Sequence, residues 1–485
     1  MKSTTVSAAV RKKILKTLFV SLLLDLVFAD CDGDCLDEQI SFTFILPLFP
    51  SVLSYYRSKD DSPTSLLNGM FHYLNAYKNS FSRPIDSRYD IILLGGAFGS
   101  LFSLLQAIAA PFIGRLSDHH GRRRAMLFSM VGNILSVALW VGATDFRTFL
   151  ASRVVGGLTE GNVQLANAIV SDISDETQRG SAMALVGACF SIAFTFGPAL
   201  GAALSTIDMM ASNKFAVAAG VSLLLVVAET SYIYFALPET HPRLRNLTVA
   251  IPENSSSKTP PEIRVYGGTS MNGNGKPLTN GNVQSLAAKT DKRHPSTMAT
   301  LKLLHFLFLV SFSGLEFSLP FVTAAFYSDR LPHSSPSALN GRLLSMIGLI
   351  ASLLQGTIVR RVPPLMVVKI GVTACAISFF MLANATSTTG LYSAGALLAV
   401  TSATVVTGIN SLGSLEAGEI ERGAALGQLR SWGQVGRALG PLLFCSLFWW
   451  AGREVAYTTG GAMMVGVGVI VFTMLRSPSQ RAGKA

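Results

Sequence analysis

Apolar stretches long enough to cross a ~30 Å hydrocarbon core recur along this chain, and they bound what it can fold into. They lie near residues 14–53 (interrupted), 90–113, 125–144, 148–171, 181–205 and 214–237. They resume near 300–326, 340–359, 366–383, 390–411, 423–448 and 455–475. By the length rule this is an all-α membrane protein of about twelve transmembrane helices in two sets of six. Charged residues make up 14% of the 485 positions, well short of the ~25% usual in soluble domains.

The net charge of +11 would by itself admit a nucleic-acid partner. The basic residues, however, gather at the ends of apolar runs: Arg11, Lys12 and Lys13, then Arg122 to Arg124, then Arg360 and Arg361. That is the positive-inside pattern. It places both termini on the cytoplasmic side and makes the lipid bilayer, not nucleic acid, the expected partner. Of five cysteines, Cys189, Cys375 and Cys445 fall in apolar runs as small packing residues, while Cys31 and Cys35 share an acidic segment. Their spacing fits no metal site, and no cofactor is expected.

Residues 241–299 interrupt the apolar pattern with Asn254-Ser255-Ser256-Ser257 and Met271-Asn272-Gly273-Asn274-Gly275. Such composition cannot bury a core, so a disordered cytoplasmic linker is expected between a six-helix bundle at 1–240 and another at 300–485. The sequons at Asn246 and Asn254 would then lie on the side without glycosylation. The halves echo each other. Arg179-Gly180 opens a run that reaches Gly197-Pro198; Arg422-Gly423 opens one that reaches Gly440-Pro441 at the same separation, and Ala182 matches Ala425. Parallel six-helix repeats describe the two halves of one transporter architecture.

Between the second and third runs lies Gly114-Arg115-Leu116-Ser117-Asp118-His119-His120-Gly121-Arg122-Arg123-Arg124. Its glycines permit a tight connection between helices, and a carboxylate among arginines usually has a specific partner. The Gly-x-Leu-x-Asp-x-x-Gly-Arg-Arg order is more specific than a plain positive-inside charge run. With this segment, Arg153 to Gly157, Asp172 to Arg179-Gly180, and Gly197-Pro198-Ala199-Leu200-Gly201, the chain resembles the major facilitator superfamily. More narrowly it resembles the drug:proton antiporter branch that includes the tetracycline exporters. Ser313-Gly314-Leu315-Glu316-Phe317, Leu237-Pro238-Glu239-Thr240, Gln355-Gly356 with Arg360-Arg361, and Leu429-Arg430-Ser431 with Gly436-Arg437 are similar to a eukaryotic tetracycline-transporter-like group. The resemblance covers both halves but not the linker. It implies the major facilitator fold, transport of organic anions including drug-like ones, and proton-coupled antiport. It also implies that Gly114, Asp118, Gly121, Arg122 and Arg123 form a gate. Asp118 would cap the positive amino end of the eleventh helix, near Arg422 and Gly423.

One departure is large. The family pattern would run Asp25-Leu26-Val27 straight into Ser41-Phe42-Thr43, but residues 28–40 intervene with Asp30, Asp32, Asp34, Asp37 and Glu38. Five acids inside a spanning helix would be very costly. Asp30-Cys31-Asp32-Gly33-Asp34 has its glycine in the wrong place for an EF-hand. A signal peptide cleaved near Ala29 would carry Asp25 in its apolar core and remove the first helix. The segment reads as an insertion.

Ionisable residues within spanning helices are candidates for transport chemistry, because burial penalises them. Arg430, Gln434 and Arg437 follow steps of four and three and so share one face of the eleventh helix, extended by Gly427. Two arginines facing a water-filled cavity would attract an anionic small molecule, and guanidinium binds carboxylate in bidentate fashion. The alternative for Arg430 is a structural pair with loop carboxylates. Arg153, Glu160, Gln164 and Asn167 form a second stripe at helical spacing on the fourth run, with Gly157 on the same face. Arg153 there needs a partner from another helix, Asp25 being one candidate, and a structural network is as compatible as a coupling one. Asp25, Glu229 and Glu316 are the acids nearest mid-membrane and the candidates to carry protons, Glu316 first. Glu229 equally suits a packing hydrogen bond. Gly197-Pro198 and Gly440-Pro441 are expected to bend their helices or pack them closely.

These residues, taken with the resemblance, imply a secondary transporter of organic anions or amphiphilic drugs working by alternating access; exchange for protons is what the resemblance of Gly197 to Gly201 implies. A sugar or metabolite facilitator is the nearest rival: Pro238-Glu239-Thr240 resembles a sugar-porter motif, yet His305 to Phe326 lacks the paired glutamines and tyrosines of that group. A transport-inactive scaffold would not need the intramembrane charges. No nucleophile–base pair, phosphate loop or metal cluster suggests an enzyme.

Overall fold

The computed structural model describes residues 8–28, 56, 65–81, 85, 87–205, 216–242, 244, 295–330 and 336–475. The insertion beyond residue 28, and the linker between residues 244 and 295, lie outside the described residues. The first half contains α1 (Ala8–Phe28), α2 (Leu66–Asn79), α3 (Asp90–His120), α4 (Arg122–Val141), α5 (Phe146–Thr159), α6 (Asn162–Ile173), α7 (Glu176–Ser205) and α8 (Ala216–Ala236). The second contains α9 (Pro295–Arg330), α10 (Pro336–Thr357), α11 (Pro364–Ala383), α12 (Thr388–Glu416), α13 (Arg422–Ala451) and α14 (Arg453–Met474). Among the described residues, eight helices are long and apolar enough to cross a membrane.

Several helices outrun the apolar stretches that announce them. The segment 114–124 is almost wholly helical: α3 continues to His120, and α4 begins at Arg122. Gly121 alone separates them, at φ 98°, in the left-handed region that a side chain disfavours. In the same way α9 starts at Pro295, inside the expected linker. Hydropathy marks only the length that lipid covers, whereas backbone hydrogen bonding carries a helix on into the polar zone.

The fourth apolar run is not one helix. It breaks at Glu160 and Gly161, where Glu160 takes an extended conformation between α5 and α6. Ser129 of α4 stitches the break: its Oγ donates to the Thr159 carbonyl at 2.7 Å and accepts from Gly161 N–H at 2.8 Å. A broken membrane helix is tolerated when side chains satisfy the freed backbone groups in this way. Consequently Arg153 and the set Glu160, Gln164 and Asn167 do not share a continuous helical face, as regular spacing had implied.

The repeat is visible in the packing. Ser136 of α4 donates to the Ser152 carbonyl of α5 at 2.8 Å, and Ser378 of α11 donates to the Ala394 carbonyl of α12 at 3.0 Å. Side-chain N-caps start α5 and α12 alike, from Asp145 and Ser387. The break is where symmetry fails, since α12 runs unbroken where α5 and α6 divide.

Helix α13 ties the halves together, packing on α3 of the first and α9 of the second. Glycines bring both neighbours close. A methyl on Gly427 would stand 2.5 Å from the Ala110 carbonyl oxygen of α3, and one on Gly440 would stand 2.5 Å from the Val310 carbonyl oxygen of α9. Small residues allow such backbone approach where lipid supplies no hydrophobic drive between helices. Helix α13 continues through Pro441 without interruption, so here the Gly-Pro pair serves close packing. The side chains around Gly197-Pro198 in α7 lie outside the described residues.

At the end away from Gly121, the short helix α2 was not legible as an apolar run, for it is amphipathic and too short to span. Ser65 caps it, Lys78 pairs with Asp90 of α3, and Tyr77 hydrogen-bonds Ser446 of α13 at 3.0 Å.

Candidate functional site

Two groups of polar residues are assembled by these helices, one at the basic end and one within the helices. At the basic end Arg122 is fully buried. Its Nε donates to Asp172 at 2.7 Å, and its Nη1 donates to Asp118 at 2.6 Å and to Ser117 at 2.7 Å. Asp172 is also buried and accepts from Arg422 Nη1 at 2.7 Å, so one carboxylate serves an arginine from each half. Asp118 in turn accepts the backbone N–H groups of Gly423 at 2.9 Å and Ala424 at 2.7 Å, capping the start of α13. A carboxylate there meets both unsatisfied donors and the positive end of the helix dipole. Gly114 admits this approach, because a methyl on it would run into the Gly423 carbonyl.

A second cap mirrors the first. Glu239 accepts from Arg122 N–H at 2.9 Å and Arg123 N–H at 3.3 Å, closing the start of α4, and also from His241 N–H at 2.9 Å. Arg123 lies over the Tyr234 ring at 5.2 Å and donates to the Tyr234 carbonyl. Arg179 bridges to the Ser414 carbonyl of α12 at 3.1 Å. Burial, together with the Arg122 guanidinium, holds the His241 imidazole below the usual histidine range. Asp172, Arg179, Glu239 and Arg422 were visible in the sequence only as parts of motifs. Their joint role needed the fold, because four separate helix ends supply them.

Within the helices, Arg437 of α13 meets Glu316 of α9, with Nη2 3.8 Å from the carboxylate. The pair is close enough for attraction but too long for a hydrogen bond, and Arg437 Nε and Nη2 have no hydrogen-bond partner among the described residues. One turn back, Gln434 is fully buried, and neither of its amide atoms has a partner among the described residues. Buried polar groups are rarely left so, and these two residues on one helix face suit a polar guest. Arg430 instead faces α3, where Gln106 accepts from it at 3.4 Å. The expected stripe therefore divides, with Arg437 joined to Glu316 and Arg430 turned toward the other half.

Helices α9 and α13, with α2 and α3, also line an apolar cavity of about 350 Å³ bordered by Tyr73, Tyr77, Leu94, Phe317, Pro441 and Leu442, among others. Glu316 and Arg437 are not among its lining residues.

The remaining candidates take separate places. Glu229 accepts from Ser21 of α1 at 2.5 Å, a hydrogen bond that joins α1 to α8. Arg153 stacks over Trp140 and Phe149 at 5.4 and 5.1 Å. Gln164 donates to the Ala110 carbonyl at 3.1 Å, and Glu160 is buried at the helix break. Asp25 lies in α1, but its side chain is outside the described residues.

Known proteins share this architecture. The Major Facilitator Superfamily pattern matches residues 40–441. Major facilitator superfamily domain-containing protein 10 of Mus musculus is 32% identical over 478 residues, covering 94% of this chain and 92% of that one. Tetracycline resistance protein, class C, of Escherichia coli is 33% identical over 30% of the chain. Among solved structures, the human organic anion transporter MFSD10 (TETRAN) superposes with a TM-score of 0.74 at 28% identity, over 95% of this chain and 99% of that one. The proton:xylose symporter XylE, at 12% identity and a TM-score of 0.64, shares the fold. With one pattern spanning most of its length and a relative matched nearly end to end, the chain belongs to the major facilitator superfamily, as a multi-pass membrane transporter of small molecules rather than an enzyme.

Proposed function

We propose that this protein moves organic anions or amphiphilic drug-like molecules by alternating access, with proton coupling. The two halves, residues 1–240 and 300–485, rock about the substrate, and the 241–299 linker joins them. Both termini and the basic end face the cytoplasm, in keeping with the positive-inside distribution of Arg122 to Arg124, Arg360 and Arg361. The Asp118 cap and the Arg122–Asp172–Arg422 bridge hold the cytoplasmic mouth shut in this state.

The observation that carries the reading is the buried Arg437–Glu316 pair, on two helices that also line an apolar cavity. A guanidinium with unpartnered donors suits a carboxylate or sulfonate head, and the cavity suits an apolar body. The name of the human relative, an organic anion transporter, supports the same cargo. The resemblance of Gly197-Pro198-Ala199-Leu200-Gly201 to the antiporter signature supports proton coupling.

Reconstituted vesicles with an imposed pH gradient test this reading. Proton-driven movement of an anionic dye is expected, with loss in both Glu316→Gln and Arg437→Ala. Gradient-independent flux of neutral solutes instead would indicate a facilitator, and no flux from folded protein a scaffold.

A further inference from the structure

We infer that Arg437 and Glu316 load an anion and a proton together, so that transport is an electroneutral cotransport of one monovalent anion with one proton. The inference rests on the anion reading above and adds the sign and balance of the coupling.

The argument is one of charge in a confined space. Glu316 and Arg437 are both largely buried and 3.8 Å apart. Among the described residues, Cys375 of α11 lies near Glu316, and Tyr457 of α14 hydrogen-bonds Ser318 two residues along α9. Among the same residues, Arg437 is the charged group that acts on Glu316, and the two form one ion pair.

Four loading states follow. With nothing bound, the arginine cation and the glutamate anion cancel. With an anion on Arg437 and a proton on Glu316, the cation cancels the guest and the acid is neutral. Either guest alone leaves an uncompensated charge, negative with the anion and positive with the proton, and a buried unpaired charge is strongly disfavoured. The empty and doubly loaded forms are thus the ones able to close around the site and cross between its two faces. Exchange of an anion for a proton would require both charged forms to make that crossing. Binding of the two guests is linked, each raising the affinity for the other, and reciprocity demands equal factors.

Geometry supports the displacement. The 3.8 Å separation and the unpartnered Nε and Nη2 of Arg437 leave its donors open to a competing head group. Gln434, one turn away with both amide atoms unpartnered, can donate to an anionic oxygen without adding charge. Once protonated, Glu316 can itself donate a hydrogen bond to the guest.

The test uses full-length protein in vesicles and naphthalene-1-sulfonate, a monovalent anion whose head group carries no proton at neutral pH. Potential is clamped with potassium and valinomycin, pH is equal on both sides, and a pH dye is trapped inside. Inward flow of the sulfonate down its gradient is expected to acidify the lumen by about one proton per anion, with a rate indifferent to the clamped potential. Glu316→Gln, which mimics the protonated acid, is expected to keep sulfonate-for-sulfonate exchange while losing net flux and proton movement. Arg437→Ala is expected to lose both. Sulfonate flux with an alkaline shift, or with no shift, overturns cotransport while leaving anion transport standing. Absence of any sulfonate exchange by folded wild-type protein overturns the anion reading itself.

Discussion

Removing the Asp118 carboxylate, by Asp118→Ala, should release the cytoplasmic mouth. In this state the carboxylate accepts two backbone N–H groups of α13, at 2.9 and 2.7 Å, and pairs with buried Arg122 at 2.6 Å. Hydrogen bonds to a charged acceptor contribute about 1.5–3 kcal/mol each. A carboxylate at a helix amino end adds about 0.3–1 kcal/mol. Arg122 keeps its bond to Asp172, but that carboxylate then serves both Arg122 and Arg422, which adds to the loss in the closed state. In an open state α3 and α13 separate and water takes over these bonds, so the loss falls on the closed state alone. Even the lower end of the sum, about 3 kcal/mol, shifts the closed-to-open ratio by roughly a hundredfold at 1.4 kcal/mol per tenfold. Spin labels at His119→Cys and Glu419→Cys, both exposed positions flanking the cap, report the gap by pulsed electron–electron resonance in nanodiscs. Wild type should show mainly the short distance, and Asp118→Ala mainly a longer one. An unchanged distance distribution in folded Asp118→Ala would refute the view that this cap holds the gate.

Three further outcomes follow from the packing. Gly427→Ala places a methyl 2.5 Å from the Ala110 carbonyl and should destabilise by about 1–3 kcal/mol, read as a lower Tm, whereas Gly356→Ala meets open space and should be neutral or slightly stabilising. Ser129→Ala leaves the Thr159 carbonyl and Gly161 N–H unsatisfied at the helix break and should cost about 2–5 kcal/mol in unfolding experiments; a loss below ~0.5 kcal/mol would mean that water replaces the stitch. His241 sits with Arg122, Asp118 and Asp172 around it, and its folded-state pKa lies below the unfolded value near ~6.5. Its contribution is therefore complete above that pH and declines as pH falls through it, because the unfolded chain takes up the proton first. Tm measured from pH 8 to 5 should drop less steeply in His241→Gln than in wild type, and parallel slopes would exclude this histidine as a source of acid sensitivity.

The repeated apolar runs, the basic residues at their ends and the Arg179-Gly180 and Arg422-Gly423 echo were enough to establish a helical membrane protein with a repeat. Those are properties of chain composition along its length, and lipid solvation reads them directly. That Asp118 caps the start of α13 was expected only through the family resemblance; the residues alone showed a carboxylate among arginines in want of a partner. The break at Glu160 and Gly161 was not legible, since helical spacing is unaltered and the cause is Ser129 on a neighbouring helix. Nor was the meeting of Arg122 with Asp172, Arg422 and Glu239, or of Arg437 with Glu316, visible in advance. A sequence specifies which side chains share a helix face. Which charges on different helices neutralise one another depends on how those faces are brought together, and only tertiary packing decides it.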